Sequence, residues 1–368
     1  MEKGYLLLSD GTCFSGRIFG NPSICCGELV FNTSMTGYSE ILTDPSYNGQ
    51  IVLMTYPLIG NYGVDESWNE SCGIDATALV VKKLYEGPLP PGRESLESFM
   101  ARQGKCGITD VDTRSLTLHI RNHGSQNAVI FPQSMEAEAR KLLSTFPKIT
   151  ERDLIDGVSV KKETHDPDLG DGFAKSPSAD APGIALVDFG IKKSIIENIY
   201  KRGYHVTLLP PTFKATDVLD KGYCLLFLSN GPGDPALLQD AVNEVKTCIG
   251  RIPVSGICLG HQIITWALGG RTVKMAFGHH GGNHPVRDLD TGKTFVTSQN
   301  HGFMSDRSTL PESVSIWFDN ANDGTVEGLY DKSKHVRSVQ FHPEASPGPQ
   351  DGTWIFDSLL EDIKKENA

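Results

Sequence analysis

Two absences in the sequence limit what the protein can bind. No apolar run approaches the roughly 20 residues that a membrane helix needs, and the apolar stretch near the N-terminus, Tyr5 to Leu8, is too short for a signal peptide. Lysine and arginine number 34 against 45 aspartates and glutamates, so the net charge is −11 and there is no basic excess for a phosphate backbone. We therefore predict neither a membrane nor a nucleic acid as a partner, and we expect a cytoplasmic protein.

Metal and nucleotide motifs are scarce as well. The eight cysteines form no C-x-x-C pair, and several lie in apolar runs, so we predict reduced thiols and neither a disulfide framework nor a zinc site. The histidine-rich segment 278–284 is compatible with a metal site or with a tight hairpin connection. The hairpin is favoured, because no acidic or cysteine partner stands at ligand spacing. There is no P-loop pattern, and we predict no metal and no cofactor on this chain.

The distribution of apolar residues divides the chain into two domains of different type. Residues 1–160 contain short strand-like runs and a hairpin signal at Asp10-Gly11, which predict a β-rich α/β domain. Residues 161–182 are polar, rich in Pro, Gly and Asp, and without period, so we predict a linker. Residues 183–368 alternate apolar strands with amphipathic helices, the last from Trp354 to Lys365. This α/β pattern predicts a mostly parallel sheet covered by helices on both faces.

The segment 254–262, Val-Ser-Gly-Ile-Cys-Leu-Gly-His-Gln, predicts a strand, a sharp turn and a helix. Glycines two residues before and after Cys258 give the room that a strained turn needs, as in the G-x-S-x-G nucleophile elbow. At a helix N-terminus, the dipole and the exposed backbone N–H groups favour thiolate over thiol. A lone cysteine between glycines is also compatible with ordinary core packing, so a nucleophile at this position needs a partner.

The segment 339–345, Val-Gln-Phe-His-Pro-Glu-Ala, supplies that partner. Residues i and i+2 of an extended chain project to the same side, so His342 and Glu344 can stand in line behind the sulfur of Cys258. Pro343 between them suits a strand that is ending. Taken singly, the histidine is an ordinary structural residue and the glutamate a solvated one. Together with the elbow they predict a triad of nucleophile, base and carboxylate.

A glycine-rich loop, 229–235, follows another predicted strand. It lacks the Lys-Ser/Thr of a P-loop and the spacing of a dinucleotide fingerprint, which disfavours phosphate binding. Glycine lets backbone N–H groups approach a substrate closely, so we predict an oxyanion loop in which the amides of Gly233 and Leu259 hold a tetrahedral oxygen. A further polar segment, 298–303, is predicted by itself as a turn at the end of a strand.

The elbow 256–262 (Gly-Ile-Cys-Leu-Gly-His-Gln), with His342-Pro343-Glu344, resembles the class I (triad) glutamine amidotransferases. Three N-terminal segments resemble a domain of the small subunits of glutamine-dependent carbamoyl phosphate synthetases: 31–38 (Phe-Asn-Thr-Ser-Met-Thr-Gly-Tyr), 42–47 (Leu-Thr-Asp-Pro-Ser-Tyr) and 110–114 (Asp-Val-Asp-Thr-Arg). Other class I amidotransferases lack this domain, and the resemblance covers nearly the whole chain. It implies that Cys258, His342 and Glu344 are catalytic. It also implies a set of glutamine-binding residues: Ser46, Gly231, Gly233, Leu259, Gln262, Asn300, Gly302 and Phe303.

The resemblance implies a glutaminase subunit that releases glutamate and ammonia from L-glutamine. The ammonia would serve a large subunit that makes carbamoyl phosphate from bicarbonate, in a heterodimer with this chain, with ATP and Mg²⁺ on the large subunit. Because the chain ends soon after its last predicted helix, we expect a separate small subunit. The alternatives are another class I amidotransferase, a free-standing γ-glutamyl hydrolase, and a non-catalytic regulatory subunit. The N-terminal domain disfavours the first two, and the presence of all three catalytic residues disfavours the third. Arginine and pyrimidine biosynthesis are both compatible with the sequence.

Overall fold

The computed structural model describes residues 1–363, and the chain folds into two compact units. The first unit comprises Met1–Arg152 with Ala276–Gly281, and the second comprises Asp153–Met275 with the described residues from 282 onward. The segment 161–182, predicted as a linker, belongs to the second unit. Among the helices of residues 1–363, none is long and apolar enough to cross a membrane.

The first unit is built on a closed barrel of seven strands. The first unit as a whole contains nine complete strands among the described residues: β1 (Lys3–Leu8), β2 (Cys13–Gly20), β3 (Cys25–Asn32), β4 (Gln50–Met54), β5 (Leu58–Ile59), β6 (Ala78–Val80), β7 (Lys83–Leu84), β8 (Cys106–Thr109) and β9 (Gln126–Pro132). The barrel order is β1-β2-β8-β6-β4-β3-β9, and β1 closes it by pairing antiparallel with both β2 and β9. The strands β5 and β7 form a separate parallel pair. The helices are α1 (Tyr38–Thr43), α2 (Leu96–Arg102), α3 (Thr113–His123) and α4 (Glu136–Thr145).

Alternating side chains fill the interior of this barrel. On β3, Leu29 and Phe31 stand two residues apart and therefore share one face, and both join the interior cluster. Leu6 and Leu8 on β1 do the same. A closed barrel of this size leaves room only for side chains, and these apolar side chains fill its interior. The predicted β-rich N-terminal domain is confirmed.

The second unit contains a ten-stranded sheet, apart from residues 276–281 of one of its strands, which belong to the first unit. Its strands are β10 (Thr164–His165), β11 (Gly183–Val187), β12 (His205–Leu209), β13 (Leu225–Leu228), β14 (Val254–Ile257), β15 (Thr272–Asp288), β16 (Thr294–Ser305), β17 (Ser315–Asn320), β18 (Val326–Asp331) and β19 (Val336–Val339). The order is β10-β12-β11-β13-β14-β19-β18-β16-β15-β17. The pairs from β12 through β11, β13 and β14 to β19 are parallel. The helices are α5 (Lys193–Tyr200), α6 (Ala215–Leu219), α7 (Gln239–Cys248), α8 (Leu259–Ala267) and α9 (Ile355–Leu359).

Helices cover both faces of the parallel strands. On β11, Ile184 and Leu186 pack in a cluster with residues of α5 and α9, whereas Ala185 and Val187 pack with residues of α6, α7 and α8. A strand that is buried on both faces needs apolar residues at every position, which explains the continuous apolar runs in this half of the sequence. The predicted helix-covered sheet is confirmed.

Three local predictions differ from the structure. The tight hairpin expected at 278–284 is wrong, because β15 runs through the segment and its glycines, including Gly278 at φ +71°, lie within a strand. The turn expected at 298–303 is also wrong, since these residues belong to β16. The segment predicted as a linker without strands contains β10, whose two residues are too few to show a period. Within the segment predicted as the last helix, α9 covers Ile355–Leu359, and the predicted end at Lys365 lies outside the described residues.

Candidate active site

The predicted strand–turn–helix around Cys258 is present. β14 ends at Ile257, α8 begins at Leu259, and Cys258 between them has φ 54° and ψ −105°, a region that side chains rarely occupy. A Cβ on Gly260 would collide with the carbonyl oxygen of Leu228, and one on Gly256 would lie 2.9 Å from the carbonyl carbon of Gly260. The sharp turn therefore requires glycine at both positions.

The Cys258 side chain is almost completely buried, at 2% exposure. Its backbone N–H donates to the carbonyl oxygen of Val339 at 2.9 Å, which extends the parallel pairing of β14 with β19 by one residue. The sulfur lies 3.5 Å from the carbonyl oxygen of Asn300 on β16. The thiol thus stands at the point where a parallel strand ends, which is where open α/β sheets bind their ligands.

His342 and Glu344 follow β19, the neighbour of β14 in the sheet. The His342 backbone N–H donates to the carbonyl oxygen of Ser298 at 2.9 Å, and its Nδ1 atom lies 2.6 Å from Oε1 of Glu344. The Nε2 atom has no hydrogen-bonded oxygen or nitrogen among the described residues, and the imidazole interacts with the sulfur of Cys258. Since Nδ1–H donates to a carboxylate, Nε2 is the nitrogen that exchanges a proton with the thiol.

Electrostatics favour the charged forms of both residues. Burial by itself would lower the pKa of His342, but the Glu344 carboxylate and the Cys258 sulfur outweigh burial and raise that pKa above its usual range. Burial alone would raise the pKa of Glu344, but the ammonium of Lys192 and the His342 ring hold it below its usual range. The carboxylate therefore stays ionised near neutral pH and supports a protonated imidazole.

Lys192 is a member of this site that the sequence analysis missed. It lies between β11 and α5, its Nζ atom is 2.9 Å from Oε1 of Glu344, and its side chain is 2% exposed. Its backbone N–H donates to Oδ1 of Asn230, in the segment that follows β13. The available signal was its place just beyond a predicted parallel strand, where functional groups collect.

The glycine-rich loop begins directly after β13. Its first residue, Ser229, accepts a hydrogen bond from the Phe189 backbone N–H at 2.9 Å through Oγ, and its carbonyl accepts one from the Gly260 N–H at 2.9 Å. A Cβ on Gly231 would collide with the carbonyl oxygen of Phe189, and Gly233 has φ +90°. These two glycines fit a close backbone turn. The Leu259 N–H, the first amide of α8, has no acceptor within its helix and stays a predicted oxyanion donor.

The other predicted glutamine-binding residues of the second unit lie along β16 and α8. Asn300, Gly302 and Phe303 belong to β16. Gln262 on α8 donates through Nε2 to the Phe303 carbonyl oxygen at 3.0 Å and to Oε1 of Gln340 at 3.1 Å. The helix that begins at the thiol is therefore tied to the strand that carries the other residues.

Ser46 belongs to the first unit. It is the middle residue of a 3-10 turn, Pro45–Tyr47, between α1 and β4, and it is 7% exposed. Its backbone N–H donates to Oδ1 of Asp44 at 2.9 Å, which caps the turn. Its predicted contact with glutamine stays a prediction that rests on the motif resemblance.

Comparison with known proteins agrees with these features. Residues 185–361 match the family Glutamine amidotransferase class-I, and residues 6–130 match the family Carbamoyl-phosphate synthase small chain, CPSase domain. The Carbamoyl phosphate synthase small chain of Clostridium perfringens is 44% identical over 98% of this chain and 99% of its own length. Those of Methanococcus vannielii and Methanosarcina acetivorans are 46% and 47% identical, over 97% and 96% of this chain and 96% of their own lengths.

Among solved structures, a glutamine amidotransferase from Thermotoga maritima is 16% identical, with a TM-score of 0.38 over 51% of this chain and 85% of that chain. This likeness is too low to bear on function. The sequence identity to the small chains extends through both units, from the N-terminal motifs to the residues beyond His342. The chain therefore belongs to the carbamoyl phosphate synthase small chain family.

Proposed function

We propose that this chain is the glutaminase subunit of a carbamoyl phosphate synthase and hydrolyses L-glutamine to glutamate and ammonia. The observation that carries the proposal is the line of Cys258, His342 and Glu344 at the ends of two adjacent parallel strands. It occurs in a chain whose relatives, over nearly their whole length, bear the name carbamoyl phosphate synthase small chain.

In the proposed reaction, the Cys258 thiolate attacks the side-chain carbonyl of glutamine. The amides of Gly233 and Leu259 hold the tetrahedral oxygen, and His342 protonates the departing ammonia. The raised pKa of His342 suits this step, because the imidazolium is available as an acid at neutral pH. Water then hydrolyses the γ-glutamyl thioester, with His342 acting as the base. Removing one oxyanion donor should slow the reaction by about 10²–10³.

We assign the binding of glutamine to the backbone around Asn300, Gly302 and Phe303, which would hold its α-amino and α-carboxylate groups. Leu259 and Gln262 lie near the side chain of the substrate in this proposal, and Gly231 and Gly233 of the oxyanion loop are further contacts. The proximity of the Cys258 sulfur to the Asn300 carbonyl, at 3.5 Å, supports placing β16 next to the reacting carbon. Ser46 is proposed as a further contact on the motif resemblance alone.

The partner proposed for the chain is a large synthetase subunit, in a heterodimer. Ammonia is mostly protonated in water at neutral pH and is then not a nucleophile, so efficient transfer requires a sheltered route to the second active site. In this proposal ATP and Mg²⁺ bind to the large subunit, this chain carries no cofactor, and the complex is cytoplasmic.

The test is the Cys258→Ser variant, assayed for ammonia release and for glutamine binding, with Cys72→Ser as the matched control because Cys72 is exposed. We expect glutamine binding without hydrolysis for Cys258→Ser and wild-type turnover for the control. Near wild-type turnover of Cys258→Ser would overturn the proposal. A wild-type chain that hydrolyses glutamine at full rate, unaffected by a large subunit with ATP and bicarbonate, would instead indicate a γ-glutamyl hydrolase. No labelling of Cys258 by a glutamine-analogue electrophile would indicate a regulatory subunit.

A further inference from the structure

Two cysteines outside the proposed glutaminase site meet at one end of the barrel of the first unit. Cys25 is the first residue of β3, and Cys106 is the first residue of β8. Cys25 shares a face of its strand with Leu29, and Cys106 shares a face with Ile108, since alternate side chains of a strand point the same way. Leu29, Ile108 and Cys106 are members of the interior cluster, and Cys25 packs against it. Both thiols therefore point into the barrel.

The chain connection explains why these thiols are close. Gly20 at the end of β2 pairs with Cys106, and the Asn21 N–H donates to the carbonyl oxygen of Lys105 at 2.8 Å. Only residues 21–24 separate β2 from β3, so the chain reaches Cys25 while still beside the start of β8. The Cys106 and Cys25 side chains are close enough for each thiol to shift the pKa of the other through a side-chain hydrogen bond.

The two thiols differ in access and in acidity. Cys106 is completely buried, whereas Cys25 is partly exposed. The hydrogen bond from Cys106 lowers the pKa of Cys25; burial opposes this, while the Ser23 hydroxyl, 3.5 Å away, and the Lys105 ammonium add to it. The same hydrogen bond, with burial, raises the pKa of Cys106. Cys25 is thus the accessible thiolate, and Cys106 keeps the proton.

We propose that Cys25 and Cys106 form an oxidative modification site that a hydroperoxide converts into a reversible disulfide. The Cys25 thiolate attacks one peroxide oxygen, the O–O bond breaks, and hydroxide (or alkoxide) leaves, so that Cys25 becomes a sulfenic acid. The Cys106 sulfur then gives up its proton and attacks the Cys25 sulfur, and the sulfenic hydroxyl leaves as water. The two sulfurs together lose two electrons, and the peroxide gains them.

A neighbouring cysteine provides the strongest competing outcome. Cys26 follows Cys25 directly, but it is on the opposite face of β3 and packs in a separate cluster with Val129 and Phe131. Burial raises the pKa of Cys26 to about 12, so its thiol stays protonated. Strand geometry therefore favours Cys106 over Cys26 as the resolving thiol.

The test uses the full chain, treated with equimolar hydrogen peroxide at pH 7, blocked with iodoacetamide and analysed by peptide mass spectrometry. We expect the first product to be a peptide that links Cys25 to Cys106, lighter by two hydrogens than the two reduced peptides and lost on treatment with dithiothreitol. The exposed Cys13 and Cys72 should still be alkylated at that point.

Two variants separate the roles of the pair. Cys106→Ala should leave a sulfenic acid on Cys25 that dimedone traps, whereas Cys25→Ser should leave Cys106 reduced at the same peroxide dose. Cys72→Ser is the matched control and should give the wild-type linked peptide. The proposal is overturned if Cys72 becomes half oxidised before any Cys25–Cys106 peptide forms in the wild type, or if Cys25 is found linked to Cys26.

Discussion

The buried ion pair between Lys192 and Glu344 allows a direct test of how the triad is held. Methionine keeps much of the volume of the lysine stem but removes its charge. Among the described residues, Lys192→Met therefore leaves the Glu344 carboxylate with His342 as its remaining hydrogen-bond donor. Breaking a buried pair from one side typically costs about 3–5 kcal/mol, and because His342 still donates to the carboxylate we expect the low end, about 3 kcal/mol.

Urea unfolding followed by tryptophan fluorescence measures this loss, because three of the four tryptophans lie in the second unit: Trp266, Trp317 and Trp354. The matched control is Lys193→Met. Lys193 is the next residue and is only partly buried, and its Nζ atom lies 5.5 Å from the ring centre of Phe173. Removing its charge should therefore lower the free energy of unfolding by no more than about 1 kcal/mol. If Lys192→Met unfolds at the wild-type urea concentration, the pair does not stabilise the site and the reasoning is refuted.

The same variant should change the pH dependence. The pKa of Glu344 is held low by Lys192 and His342, so the stability that this carboxylate contributes is present above its unfolded value, about 4.3, and is lost as pH falls through the folded pKa. The difference in unfolding free energy between wild type and Lys192→Met should therefore shrink below about pH 4. In Lys192→Met the pKa of Glu344 rises, so glutaminase activity should fall at a higher pH on the acid side. The double variant Lys192→Met/Glu344→Gln also removes the carboxylate charge that Lys192→Met leaves without its lysine partner. It should therefore recover stability but not glutaminase activity.

Two further predictions concern the elbow and the base. Gly260→Ala places a Cβ against the Leu228 carbonyl oxygen and should cost about 3 kcal/mol and most of the activity, whereas Gly302→Ala, whose nearest heavy atom is 4.0 Å away, should keep the wild-type thermal midpoint. The pKa of His342 is raised, so its contribution to stability is present below its unfolded value, about 6.5, and is lost as pH rises through the folded pKa. The difference in unfolding free energy between wild type and His342→Asn should therefore shrink in alkaline solution. A difference that grows with pH would contradict a charged pair of His342 and Glu344.

Local patterns were sufficient to predict the elements that carry the site. The strand, turn and helix around Cys258 follow from a short apolar run, two glycines and a helical period, all within 254–267. The His342–Glu344 hydrogen bond follows from i, i+2 spacing on an extended chain. Each of these inferences uses residues that are neighbours in the sequence, which is why a single sequence contains the signal.

Features that depend on distant pairing were not predicted. The barrel closes because β1 pairs with β9, and no local pattern in either strand specifies the other. The segments 278–284 and 298–303 were assigned to turns because glycine and polar residues are typical of turns. In the structure they belong to β15 and β16, and the histidines and amides that are buried there are His279, His280, Gln299, Asn300 and His301.

The sheet order explains why Lys192 was not predicted as a site residue, although the other site residues were predicted from their positions at strand ends. Cys258 follows β14, His342 follows β19, the glycine loop follows β13 and Lys192 follows β11, so all four groups stand beyond the carboxyl ends of parallel strands. In the order β11-β13-β14-β19, however, Lys192 and Glu344 belong to strands three steps apart, about 14 Å at the usual strand spacing. A lysine side chain spans only part of that distance. The contact therefore requires the segments that follow β11 and β19 to approach each other beyond the strand ends, and the bond from the Lys192 N–H to Asn230 ties the first of these segments to the residues after β13. Strand order and loop direction together decide which strand-end residues meet, and neither is contained in the local sequence.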